Sequence, residues 1–97
     1  MNVLVVATPK HPVPPDQLGP MIDGAMEWYE RYQNRFQAFG NFPGGGGFAV
    51  IDVDSAETMN QMVLEMPFAP VSDLVIRPFV PGAAGFQQVK DALAARG

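Results

Sequence analysis

His11, Asp73 and Arg77 are the side chains of this sequence best suited to chemistry. His11 is the only histidine among the 97 residues. An imidazole titrates near neutrality and suits general acid–base work. It follows the first apolar segment, in a loop stiffened by Pro9, Pro12, Pro14 and Pro15. From there it could reach the rim of a cavity, or stand in water beside Lys10. Arg77 is the first basic residue after Arg35, and so the lone cation of a long acidic and apolar stretch. If it points into a closed interior it needs an anion, because an unpaired buried charge is costly. A substrate carboxylate, Asp52, or an acid from another subunit could serve. The plainer role is an interface salt bridge or a solvated edge. Asp73 precedes Arg77 on the same face of one strand, with Val75 between them. Four residues of strand span about 13 Å, so the two cannot pair directly. Asp73 could act as a base, or its carboxylate could cap the turn before it.

Trp28, Tyr29 and Tyr32 fall on or beside one apolar helical stripe. Aromatics at that spacing serve as core, or as the wall of a ligand cavity where a phenol could orient a carbonyl or enol. Phe68 joins them as a substrate-contacting candidate. Other patterns carry less. Gly44–Gly47 resembles a phosphate loop in glycine content alone, with no Lys-Ser/Thr after it and no helix N-terminus to receive an anion. Asp52, Asp54 and Glu57 form a small acidic cluster, but Asp54 is placed to cap a helix. With one histidine and no cysteine, no tight transition-metal site is expected. No serine has a nucleophile's context, and no cofactor motif is present, so no cofactor is expected.

Positioning these residues falls to a small number of elements. Residues 2–8 are β-branched and apolar on both faces, which predicts a central strand. Leu18, Met21, Ile22, Ala25, Met26, Tyr29 and Tyr32 recur at helical steps and predict a helix over about Asp16–Asn34. Pro20 marks either its true start near Gly19 or an irregular first turn. Phe36–Phe42 and Phe48–Val53 read as a hairpin around Pro43 and the four glycines. Asp54 or Ser55 caps a second helix, with Glu57 placed as in a capping box. Ala56, Met59, Met62, Val63 and Met66 form its apolar face, and Pro67 ends it. Ser72–Val80 is a fourth strand, and residues 86–95 a short C-terminal helix with Phe86, Val89 and Leu93 on one side. The order β-α-β-β-α-β predicts a single α+β domain over residues 1–97, ferredoxin-like, with an antiparallel sheet.

Two helices cover one face of such a sheet, yet the first and fourth strands are apolar on both. The chain is 47% hydrophobic and 16% charged, a large apolar share for a body this small to hide alone. Disulfides cannot assist, since cysteine is absent. Leu64, among Glu57, Asn60 and Gln61, adds an apolar residue to a polar helix face. The expectation is a homodimer, or a higher oligomer of dimers, with two sheets face to face. A net charge of −4 with no basic stripe argues against nucleic acid. No run is long enough to span a membrane. Met1 leads directly into the first strand without a basic leader, so a cytoplasmic location is expected.

The run Phe48-Ala49-Val50-Ile51-Asp52-Val53-Asp54-Ser55-Ala56-Glu57, then Met66-Pro67-Phe68-Ala69-Pro70 and Asp73-Leu74-Val75-Ile76, resembles the muconolactone isomerase-like group of the dimeric α+β barrel superfamily. The resemblance implies two sheets closing into a barrel across a dimer, with a small cavity in each subunit. It also implies a cofactor-independent shift of a double bond in an unsaturated lactone. On that reading the chain is a cofactor-independent isomerase or cyclase that moves a proton next to a carbonyl, and its partner is a small hydrophobic or aromatic-derived substrate. His11 or Asp73 would be the base, and Arg77 or a tyrosine would hold the developing enolate. A non-catalytic ligand-binding or interaction module of the same fold is the alternative, and a cofactor-free monooxygenase a third.

Overall fold

A computed structural model describes residues Met1–Gly97. Strand β1 spans Asn2–Pro9, helix α1 Pro15–Tyr32, β2 Phe36–Asn41, β3 Gly47–Asp52, α2 Ala56–Glu65, β4 Ser72–Phe79 and α3 Gly82–Arg96. Single 3-10 turns at Gln33–Arg35 and Ala69–Val71 lead into β2 and β4. The strands form one four-stranded sheet in the order β2-β3-β1-β4, antiparallel throughout. This is the ferredoxin-like βαββαβ arrangement expected from the sequence, with a tail helix. None of the helices is long and apolar enough to cross a membrane.

Local chemistry accounts for most boundaries. Helix α1 opens with Pro14 as N-cap and Pro15 at its first position, where a missing N–H costs nothing. It then runs through Pro20 without a break, so neither expected irregularity at that residue occurs. Helix α2 is capped by Ser55, whose Oγ accepts from the backbone N–H of Thr58. Thr58 thus occupies the third helical position, and Glu57 plays no part in the cap. The Asp54 carboxylate instead accepts from the Thr58 hydroxyl at 2.8 Å. In the hairpin, Gly44, Gly45 and Gly46 all have positive φ. A Cβ on Gly46 would meet the Ala7 carbonyl oxygen at 2.3 Å, so no other residue fits there.

One side of the sheet carries the core. Val3 and Val5 of β1 and Ala49 and Ile51 of β3 are buried with Val53, Trp28, Met59 and Met62. The register pairs Val3 with Ile51 and Val5 with Ala49, so these side chains share the face beneath α1 and α2. Trp28 ties the layers together: its Nε1–H donates to the Met62 carbonyl at 2.9 Å, and its ring meets Phe36 edge-on at 5.3 Å. Cover stops short of the β4 edge. Ile76 lies opposite the buried Val5, yet is 40% exposed.

Helix α3 stands apart. Its residues are exposed apart from a half-buried Gly85, and its side-chain hydrogen bond is internal, Gln87 to Asp91. The molecule is 62 Å long and 25 Å across. Its radius of gyration is 16.6 Å, against about 12.5 Å for a compact chain of this length.

Candidate functional site

Alternation along a strand puts residues two apart on one face. The face turned away from the helices therefore carries Asp73, Val75, Arg77 and Phe79 from β4. Cross-strand pairing sets Thr8 beside Asp73, Val6 beside Val75 and Leu4 beside Arg77. Beyond β1, Phe48 pairs with Val6 and Val50 with Leu4. Val75, Val6, Leu4, Phe48 and Val50 thus make an apolar floor, with a carboxylate at one end and a guanidinium at the other. No element of the chain covers it, and Val75 is 51% exposed. A hollow of about 480 Å3 lies at the Arg77 end, against Leu4, Val50, Arg77, Pro78 and Phe79. A second, of about 580 Å3, adjoins it at Met1, Asn2 and Pro78–Pro81.

Arg77 has no acid within reach in its own chain. The ion pairs are Met1 N-terminus to Asp52, Arg31 to Glu65 and Arg35 to Asp54. Asp52, one partner considered for Arg77, is thereby engaged at 3.3 Å by the chain's own amino terminus. The Asp73 carboxylate makes no hydrogen bond to the turn before it; the 3-10 turn Ala69–Val71 is closed by backbone contacts, with Val71 N–H donating to the Phe68 carbonyl. His11 is exposed in its loop, its Nδ1 3.3 Å from the Pro12 carbonyl oxygen. The Lys10 N–H donates to the Val71 carbonyl at 2.9 Å, which ties that loop to the Asp73 end of β4. His11 and Asp73 are thus at one end of the face and Arg77 toward the other.

The aromatic candidates fall elsewhere. Trp28 is buried in the core, Tyr29 stacks on Phe39 at 5.0 Å, and Tyr32 meets Trp28 edge-on at 6.2 Å. All three belong to the helix side of the sheet, across the β-layer from Arg77. Phe68 is half-buried where it caps the turn into β4. Sequence reasoning missed two features. Leu4, Val6, Phe48 and Val50 escaped notice because their alignment with Arg77 depends on register; their shared parity along each strand was the available signal. The other is a clamp joining α1 to α2. The Tyr32 hydroxyl donates to Glu65 Oε2, and Arg31 Nη1 pairs with Glu65 Oε1 at 2.8 Å. That contact lowers the Glu65 pKa, chiefly through the Tyr32 hydroxyl and further through Arg31. It raises that of Tyr32, whose phenolate would face the carboxylate. Asp54 is lowered by the Thr58 hydroxyl first, then by its own backbone N–H and Arg35. These perturbed groups serve the helix layer and its cap.

No family model matches the chain, and no curated protein does. Solved structures do. The chlorohydroxyhydroquinone dehydrochlorinase TftG of Burkholderia phenoliruptrix AC1100, in complex with 2,5-dihydroxybenzoquinone, superposes with a TM-score of 0.68 at 18% identity. That match covers 87% of this chain and 98% of TftG. Muconolactone isomerase superposes with a TM-score of 0.72 at 22% identity, over 84% of this chain and 90% of that one. Together with the strand order and the capped helix after Asp54, these likenesses give the resemblance read from residues 48–79 its structural meaning: the chain has the muconolactone isomerase fold.

Proposed function

We propose that this chain is a cofactor-independent enzyme that moves a proton beside a carbonyl. Its substrate is a small, flat, apolar anion lying on the open face of the sheet between Asp73 and Arg77, and a second copy of the chain covers that face. The observation that carries this reading is the open Arg77: a guanidinium at the rim of an apolar floor, with no acid of its own chain to neutralise it. The named activities of the two structural neighbours, an isomerase and a dehydrochlorinase, support an enzyme of small unsaturated molecules.

The chemistry follows from the spacing. Asp73 and Arg77 are about 13 Å apart at the backbone. Their side chains take up part of that span and leave room over Val75 for a single small ring. The guanidinium fork binds a substrate oxyanion or carboxylate bidentately. Asp73, with His11 at the same end as the alternative base, removes a proton from the carbon next to the carbonyl. The electron pair moves onto the carbonyl oxygen as an enolate, which Arg77 stabilises more than the neutral carbonyl. Returning the proton at the far carbon of the conjugated system shifts the double bond. Covering the face would exclude water and strengthen both electrostatic contacts.

The test is mapping by NMR with an unsaturated lactone acid and with 2,5-dihydroxybenzoquinone, alongside turnover followed by ultraviolet absorbance. Expected shifts centre on Leu4, Val50, Val75 and Phe79, and vanish in Arg77→Gln; turnover falls in Asp73→Asn or His11→Ala. Shifts centred on the helix layer around Trp28 and Met62, or binding unchanged in Arg77→Gln, would overturn the assignment. A non-catalytic ligand-binding module is the second reading. It is favoured by the placement of Tyr32, Glu65 and Asp54, the groups whose acidity the fold perturbs, in structural clamps away from the open face. Ligand bound at the open face by the unsubstituted chain, with no turnover, would select it.

A further inference from the structure

A transverse row of the open face holds a glycine among large apolar side chains. The registers of the three strand pairs set Gly40, Phe48, Val6 and Val75 in line, one each from β2, β3, β1 and β4. The Phe48 ring uses the room that Gly40 leaves. A Cβ on Gly40 would stand 2.6 Å from Phe48 Cε1 and 3.1 Å from its Cζ, so the ring leans away from β1 and lies over the Gly40 backbone. Phe42 stacks on the same ring, with centroids 5.8 Å apart and planes at 28°. The ring is thus held on the β2 side of its own strand, and the strip over Val6 is left clear.

We infer that Gly40 sets the ligand specificity of the site: by receiving the Phe48 ring it keeps the strip over Val6 open for one hydrocarbon substituent of the bound anion. This inference rests on the reading that the anion lies over Val75 between Asp73 and Arg77. Neighbouring strands are about 4.8 Å apart, so the backbones at Val75 and Phe48 are separated by about 10 Å. A single flat ring over Val75 takes the β4 side of that width and leaves the β1 side to be filled. Val6 and Leu4 floor the strip, with Val50 and Phe48 on its far side. None of the four carries a polar side-chain atom. An aryl or branched alkyl group suits such a strip, whereas a hydroxyl or a charge would lose water there without gaining a partner. Toward Arg77 the strip runs into the hollow of about 480 Å3 that Leu4 and Val50 line, so the side group and the anionic head occupy one continuous space. The ligand class is then a small unsaturated ring anion with a hydrocarbon group directed across the strands, from β4 toward β3. Gly40 acts through Phe48 and is a positioning residue. With a side chain at position 40 and Phe42 stacked beside it, the room left to the Phe48 ring is on the Val6 side, and the ring would cover the strip.

The experiment compares the affinities of 2,5-dihydroxybenzoquinone and its 3-phenyl derivative for the full-length protein, by calorimetric titration with NMR mapping. The ratio of the two affinities is the readout, so a general loss of binding or stability cancels. The phenyl derivative should bind the unsubstituted chain about tenfold more tightly, through the apolar area it buries, and should add shifts at Val6 and Phe48 to those around Arg77. Gly40→Ala should abolish that preference. Adding Phe48→Leu to Gly40→Ala should restore it, because leucine is too short to cover the strip. Equal affinities in the unsubstituted chain would overturn the side pocket and leave the Arg77 site standing. A preference unchanged in Gly40→Ala would overturn the role of Gly40. A preference lost in Gly40→Ala and not restored by Phe48→Leu would also overturn it, since the glycine would then serve only the packing of its own strand. Binding of neither compound at the open face would overturn the site reading and this inference with it.

Discussion

Replacing Arg77 with leucine should move ligand binding and dimerisation in opposite directions. The guanidinium stands at the end of an apolar floor formed by Leu4, Val6, Val50 and Val75, with no acid of its own chain beside it. Covering that face with a second sheet in the absence of an anion strips the guanidinium of part of its water without giving it a partner, which is unfavourable. Leucine has no such penalty, so the ligand-free dimer of Arg77→Leu should be tighter, by about tenfold if only about 1.4 kcal/mol of that cost is relieved. The anion loses its strongest contact. A hydrogen bond to a charged group contributes about 1.5–3 kcal/mol, which corresponds to about 10- to 150-fold in affinity. A bidentate fork makes two such bonds and sets the loss toward the upper end of that range. Sedimentation velocity over a concentration series, with and without 2,5-dihydroxybenzoquinone or an unsaturated lactone acid, reads both quantities on one sample. A ligand-free dimer that is weaker in Arg77→Leu would refute the reasoning, because Arg77 would then be paired across the interface rather than reserved for a ligand.

Further outcomes test the frame that holds the site. Gly46→Ala places a Cβ 2.3 Å from the Ala7 carbonyl oxygen at a φ of +82°. It should cost about 1–3 kcal/mol and lower the melting temperature by about 4–8 °C per kcal/mol. Gly44→Ala, at a φ of +88° but facing open space, should lower it less; equal losses would show that the close approach to Ala7 is unimportant. The clamp predicts a two-sided pH profile. Glu65 is held below its ordinary 4.5 in the folded chain, so its contribution is full above that value and fades as the pH falls through the folded pKa. Tyr32 is held above its ordinary 10.0, so its contribution is full below that value and fades as the pH rises through the folded pKa. Tyr32→Phe should flatten both limbs of the melting temperature against pH, and a profile unchanged by it would dissociate the clamp from stability.

The elements were legible because each is written in local chemistry. Proline-stiffened entry, alternating strands, the Ser55 cap and the glycine turn are readable within a few residues of chain. The helix through Pro20 was not, because an interior proline disfavours a helix by about 3 kcal/mol, and the packing that offsets it, with Trp28 buried farther along, is not written near Pro20. The site was half legible. Arg77 stood out through charge alone, and Asp73 through its parity with Arg77. Their floor was hidden, since Leu4 and Val50 reach Arg77 only through the registers of β1 with β4 and of β3 with β1. The aromatics misled for a related reason. A stripe of Trp28, Tyr29 and Tyr32 shows that a helix face is buried, but carries no information about which side of the sheet it lies on.

Sheet twist argues for where a ligand would sit in a covered dimer. Adjacent strands rotate by about 20–25°, so four strands accumulate about 60–75° from one edge to the other. Two such sheets placed face to face touch along their middle strands and splay at their corners. Here the middle strands are β3 and β1, which bring Phe48, Val50, Leu4 and Val6 to the contact. Strand β4 is an edge, and its ends fall where the sheets part. Asp73 and Arg77 lie toward opposite ends of that edge, beside the gap rather than within the dry centre. Their charges would therefore remain within reach of a small anion and some water, while Val75 between them is pressed toward the contact. A dimer built on this sheet would keep its apolar strip for association and its charged corners for a ligand, so the same covering could both stabilise the chain and form its site.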